Sequence, residues 1–100
     1  MDKELDHIES YARLVEAIIE LCWKRITIPE RWKETRPSKR MIEIKRKTLI
    51  KEKEWLNSEV AKVWFRIYCS FGNYRHKKVH IRFKSKCTKS INALEKIANS

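Results

Sequence analysis

Apolar residues recur along the first quarter of the chain at alternating steps of three and four. The series consists of Leu5, Ile8, Ala12, Val15, Ile19, Cys22 and Ile26. Such spacing places every member on one face of an α-helix. We therefore predict an amphipathic helix over residues 3–25 whose apolar face packs on the rest of the fold. The regular heptad-like spacing also fits an alternative, in which this face is the seam of a homodimer.

A period of two dominates residues 61–86, on both sides of the only glycine in the chain. Apolar positions alternate with polar or aromatic ones over residues 63–71, and they alternate again over 79–83. Between these runs stand Gly72 and Asn73, the two residue types that reach positive φ most easily. Alternation on both sides of a turn is typical of a half-buried antiparallel hairpin. We predict this hairpin, with its odd-numbered face turned toward the core.

The same stretch also fits a helix. Val60, Trp64 and Ile67 lie at helical spacing. Asn57 or Ser58 could cap such a helix at its start, and Gly72 could end it. Residues 63–71 are almost entirely β-branched or aromatic, and strands favour those types. The composition therefore favours the hairpin over the helix.

The remaining segments complete the predicted fold. Residues 41–57 are ambiguous, and we interpret 41–50 as a third strand because a lone hairpin is only marginally stable in water. A basic linker over 27–40 contains a short helix, and a closing helix over 88–98 begins at Thr88 and buries Ile91 and Leu94. The predicted class is α+β, with the long N-terminal helix and the C-terminal helix packed on a small antiparallel sheet of two or three strands. All of residues 1–100 form one domain in this prediction, and an all-α fold is the alternative.

Charge is distributed unevenly along the chain. The net charge is +11, but residues 1–26 carry −2, residues 27–60 carry +4 and residues 61–100 carry +9. In the last forty residues ten cations face a single acid, Glu95. A field of one sign on one part of a protein indicates an anionic partner.

The even-numbered face of the predicted hairpin mixes cations with aromatic rings. That mixture suits nucleic acid, because cations bind phosphates while rings stack on bases. Lysines entering the last helix would add to this surface, since the start of a helix favours anions. The residues we predict to bind nucleic acid are Trp64, Arg66, Tyr68, Arg75, Lys77, Lys78, His80, Arg82, Lys84, Lys86 and Lys89. The predicted function is non-catalytic nucleic-acid binding, DNA or RNA, in a regulatory or accessory role.

Two other functions fit the same residues. A small basic domain can inhibit or engage a larger complex by binding an acidic protein surface or a nucleic-acid channel, with its rings as anchors. A metal-independent RNase could use His76 and His80 as acid and base among the neighbouring cations. A zinc site at Cys69, His76, His80 and Cys87 is disfavoured because the hairpin puts Cys69 and His80 on opposite faces. We predict neither a metal nor another cofactor.

The cysteines and the lengths of the apolar runs indicate where in the cell the protein is expected. Cys22, Cys69 and Cys87 are an odd number without close spacing, which is typical of free thiols in a reducing compartment. The acidic start of the chain has the wrong charge for a signal peptide, and no apolar run reaches the roughly eighteen residues of a membrane span. We expect an intracellular protein, cytoplasmic or nuclear, that does not enter a membrane.

Overall fold

The fold is a bundle of helices. The computed structural model describes the backbone of residues 2–70 and 76–99, and the side chains of residues 10–70 and 77–99. The helices are α1 (Asp2–Ile26), the short α2 (Arg31–Glu34), α3 (Lys39–Leu56), α4 (Glu59–Ser70) and α5 (His76–Ala98). These ranges contain no strand, so the α+β prediction with an antiparallel sheet is wrong and the all-α alternative is the class observed.

The predicted hairpin is replaced by two helices, α4 and the first half of α5. The N–H of Ala61 donates to the Ser58 hydroxyl across 3.2 Å, which satisfies one of the unpaired donors at the start of α4. Ala61, Phe65 and Cys69 then repeat every four residues and are all buried. Strand propensity depends strongly on packing context, so the β-branched and aromatic composition did not decide this segment. The predicted turn at 72–73 lies outside the described residues.

Two more boundaries differ from the sequence prediction. Residues 41–50 belong to α3, where the Ser38 hydroxyl accepts a hydrogen bond from the N–H of Met41 and caps the helix. The closing helix begins at His76, so Thr88 is an exposed residue within α5 and not its cap. The N-terminal helix, by contrast, spans almost the range that its apolar pattern predicts.

The long helices share a heptad-like inner face. The inward positions are Val15, Ile19, Cys22 and Ile26 on α1, Ile42, Lys45, Leu49, Glu52 and Leu56 on α3, and His80, Phe83, Cys87, Ser90 and Leu94 on α5. Steps of three and four keep these side chains on one side of each helix. On α1 they pack against the other helices of the same chain, so the face considered as a dimer seam is used in the protein's own core.

Contacts between helices fix their directions. The Cys87 thiol donates to the Leu49 carbonyl across 3.5 Å, and Arg46 donates to Glu95 across 2.9 Å, so α3 and α5 are antiparallel. The Trp23 and Phe83 rings meet edge to face with their centres 4.8 Å apart. Further toward the C-terminal ends of both helices, the Ser90 hydroxyl donates to the carbonyl of Ile26. α1 and α5 therefore run in the same direction.

Four positions on these faces are polar, three of them buried and Lys45 half-buried, and each has a partner on another helix. The last carbonyls of a helix lack partners within that helix, so donors from elsewhere are needed where the end is buried. Lys45 Nζ donates to the Arg25 carbonyl across 2.6 Å, Ser90 caps the next carbonyl, and His80 Nε2 donates to the Leu56 carbonyl across 2.6 Å. The fourth polar residue, Glu52, accepts from the Arg25 guanidinium across 3.2 Å.

Candidate nucleic-acid interface

The exposed side of α5 carries a row of cations. We define the basic stripe as Lys78, Arg82, Lys86, Lys89 and Lys96. At 100° of rotation per residue these five positions fall within about 80° of the helix circumference, and they extend over about 27 Å of its axis. All are exposed except Lys86, which is half-buried. The stripe presents positive charge in a line, which suits a linear polyanion better than a small ligand.

The carboxylates that the structure describes form no ion pair with the stripe. Within the part of the chain that the structure describes, no carboxylate lies within ion-pair distance of its five cations. Glu95, the only acid on α5, lies on the flank that faces α3 and pairs with Arg46 at 2.9 Å. The Lys86 ammonium lies 5.7 Å from the centre of the Trp23 ring, a cation–π contact.

The first turn of α5 carries positive side chains at the positive end of the helix dipole. Lys77 and Lys78 stand there, and no acid accompanies them. The positive end of the dipole disfavours cations by about 0.3–1 kcal/mol each at an exposed site. An anion bound nearby would relieve this repulsion.

An aromatic pocket lies beside the stripe, between α1, α4 and α5. Its volume is about 460 Å³, and its lining includes the rings of Trp23, Tyr68 and Phe83. The charged residues in the lining are Glu20, Lys24 and Arg82. We call this cavity the aromatic pocket, and it joins the stripe at Arg82.

A second groove lies on the other side of α5, against α4. It has a volume of about 320 Å³ and is lined by Lys62, Arg66, Lys77, His80 and Ile81. Lys62 pairs with Glu59 at 3.0 Å on the exposed surface. This basic groove brings together three of the predicted binding residues: Arg66, Lys77 and His80.

The other predicted residues do not share one surface. Tyr68 lines the aromatic pocket, while Trp64 stacks on Tyr11 of α1 with ring centres 6.2 Å apart and contacts the core. Lys84 is half-buried on the flank of α5 away from the stripe, and Arg75 lies outside the described residues. The even-numbered strand face that was predicted to carry Trp64, Tyr68 and Lys84 required the hairpin, and these three residues lie on helices instead.

His80 has a packing role in the described structure. Only 8% of the residue is exposed, its ring stacks on Phe65 with centres 4.5 Å apart, and its Nε2 bonds the Leu56 carbonyl. His80 is also one of the residues that line the basic groove. The RNase alternative, which paired His80 with His76, stays a prediction, and the side chain of His76 lies outside the described residues.

Several candidate residues were absent from the sequence prediction. Glu20, Trp23 and Lys24 line the aromatic pocket, Lys62 lines the basic groove, and Lys96 extends the stripe. A helical projection of residues 76–98 would have found Lys96, because it shares the angle of Lys78. No local sequence pattern indicates that Trp23 lines a pocket, because the pocket forms only where α1 packs against α5.

The three thiols are buried in the helix interfaces. Burial raises the pKa of Cys22, Cys69 and Cys87, and the nearby Glu52 carboxylate raises that of Cys22 further. Thiols held in their neutral form are poor nucleophiles and poor metal ligands. Among the side chains that the structure describes, no three from His, Cys, Asp and Glu are arranged to hold a metal ion.

Comparison with known proteins adds no relative. No family model, curated protein or solved structure matches this chain. Within its described residues, none of the helices combines the length and apolar character needed to cross a lipid bilayer.

Proposed function

We propose that this protein binds nucleic acid without catalysis, through the basic stripe of α5. The observation that carries the proposal is the alignment of five cations on one exposed helix face, with no described carboxylate to pair with them. Phosphate contacts dominate the affinity of proteins for nucleic acids, and they require this kind of linear positive surface.

Two further features support the proposal. The repulsion between Lys77, Lys78 and the dipole of α5 is a stability cost that a bound phosphate removes. The basic groove places Lys62 and Arg66 beside Lys77, so cations of α4 extend the positive surface around the start of α5. A polyanion wrapping this end of α5 would contact both sets.

The test compares two variants with the same loss of charge. In the stripe variant, Lys78, Arg82 and Lys89 are replaced by Gln; in the control, the exposed Lys33, Lys47 and Lys51 of α2 and α3 are replaced by Gln. Affinity for a labelled oligonucleotide is measured by fluorescence anisotropy over a range of salt concentrations. We expect the slope of log affinity against log salt to become shallower by about 2 to 3 in the stripe variant, because each lost phosphate contact removes about 0.7–0.9.

The control separates a specific surface from net charge. It should bind with the slope of the wild type, since its cations lie away from α5. Equal slopes in all three proteins, or wild-type binding that is undetectable at low salt, would contradict the proposal. The alternative partner, an acidic protein surface, would then remain the function that the same stripe fits.

A further inference from the structure

We propose that the ligand is single-stranded nucleic acid and that the aromatic pocket receives one of its bases, preferentially one that carries an exocyclic amino group. This inference rests on the proposed function and adds to it the class of nucleic acid and the site of base recognition.

The pocket has the size and the surface for one base. At about 460 Å³ it falls in the range of ordinary small-ligand sites. Trp23 and Tyr68 are both only partly buried, and both contribute to the lining. Aromatic side chains of this kind stack on unpaired bases in many single-strand binding proteins.

The pocket and the stripe are parts of one surface. Arg82 belongs to both, and Lys86 lies over the Trp23 ring at 5.7 Å. A strand whose phosphates follow the stripe would therefore carry its bases past the mouth of the pocket. Bases of a duplex are stacked and paired, so they enter such a cavity only after extrusion, which costs a few kcal/mol. A single strand avoids most of that cost.

Glu20 gives the pocket a hydrogen-bond acceptor beside its rings. Its carboxylate can accept a hydrogen bond from an exocyclic amine, while Lys24 and Arg82 in the same lining can hold the phosphates that flank the base. Cytosine, adenine and guanine carry such an amine, whereas thymine and uracil do not. The pocket should therefore favour an amino-bearing base, while the phosphates stay on the cations.

The experiment compares oligonucleotides that have the same phosphates but different bases. Wild-type protein is titrated with single strands of about 12 nucleotides: oligo-dC, oligo-dT and an abasic strand of equal length. We expect oligo-dC to bind about tenfold more tightly than the abasic strand, as one stacked base predicts, and several-fold more tightly than oligo-dT. Equal affinities for oligo-dC and the abasic strand would overturn the pocket while leaving phosphate binding intact. Failure of all three strands to bind would instead contradict the proposed function.

Variants assign the effect to the pocket. Trp23→Leu should remove the advantage of oligo-dC over the abasic strand, and Glu20→Ala, which leaves no side-chain acceptor, should remove its advantage over oligo-dT. The matched control is Trp64→Leu, which removes a ring stacked on Tyr11 away from this cavity and should preserve both advantages. Helicity measured by circular dichroism identifies any variant that has lost its fold. Unchanged base preferences in folded Trp23→Leu and Glu20→Ala proteins would overturn the inference.

Discussion

His80 of α5 donates a hydrogen bond from Nε2 to the carbonyl oxygen of Leu56, the last residue of α3, across 2.6 Å. The same ring stacks on Phe65 of α4, with 14° between the two planes. One buried imidazole thus connects three helices and satisfies a carbonyl that its own helix leaves without a partner. Cations stand two positions away on either side, at Lys78 and Arg82, so composition alone would assign His80 to a binding surface.

Replacing His80 should therefore weaken the fold. His80→Ala removes a net hydrogen bond of about 1 kcal/mol and leaves a cavity beside Phe65, so we expect the free energy of unfolding to fall by about 2–4 kcal/mol. Urea denaturation followed by circular dichroism measures the change. The exposed Thr88→Ala on the same helix should stay within about 0.5 kcal/mol of the wild type. A His80→Ala protein as stable as Thr88→Ala would contradict the packing role.

Ser90 offers a second test of helix capping across the bundle. Its buried hydroxyl donates to the carbonyl of Ile26 at the end of α1. Ser90→Ala should cost about 1–2 kcal/mol of unfolding free energy, because that carbonyl becomes buried without a partner. Ser85→Ala makes the same chemical change at an exposed position of α5 and should have no measurable effect. Equal stabilities of the two variants would show that the cap contributes nothing.

Cys22 should make the free energy of unfolding depend on pH in the alkaline range. Burial and the Glu52 carboxylate raise its pKa in the folded state above the ordinary value of 9.0. The stabilisation from keeping this thiol neutral is complete below that value and is lost as the pH rises toward the folded pKa, because the unfolded chain releases the proton first.

The comparison is between the wild type and Cys22→Ala from about pH 9 to about pH 10.5. We expect the unfolding free energy of the wild type to fall more steeply, by up to about 1.4 kcal/mol per pH unit. Other groups that titrate in this range are common to both proteins and cancel in the difference. Parallel curves would contradict the effect.

Buried thiols should also resist modification. Cys22, Cys69 and Cys87 are each 3% exposed or less. In native protein we expect a thiol-specific reagent such as DTNB to react with all three at least about a hundredfold more slowly than in urea, because opening of the core must precede attack. Rapid reaction of one thiol in native protein would show that its helix interface opens easily.

Polar residues at core positions explain why the sequence predicted only part of the fold. In α1 the inward face is apolar throughout, and the helix was found with nearly correct bounds. In α3 and α5 the same spacing is completed by the buried Glu52, His80 and Ser90, so a search for apolar positions finds gaps. The gaps on α5 let a period of two dominate around Val79 and Phe83. Only the partners on other helices reveal that these polar residues face inward.

The candidate site was predictable in class but not in geometry. The excess of cations after residue 60 indicated an anionic partner, and Arg82, Lys86 and Lys89 are part of the stripe. These residues share a face because a helix repeats about every 3.6 residues, whereas the predicted strand repeats every two. The aromatic pocket depends on Trp23 and Tyr68, which are far apart in sequence and meet only because α1 and α4 pack against α5.

The hydrogen bonds to the helix ends also select one longitudinal alignment of α5. A heptad-like spacing does not by itself choose among longitudinal alignments, whereas polar side chains at inward positions do. A displacement of α5 by one turn, about 5.4 Å, would break both the hydrogen bond from His80 to Leu56 and the one from Ser90 to Ile26. The polar core thereby sets how far Arg82 stands from Trp23, and a change at either buried residue should disturb ligand recognition at a distance from it.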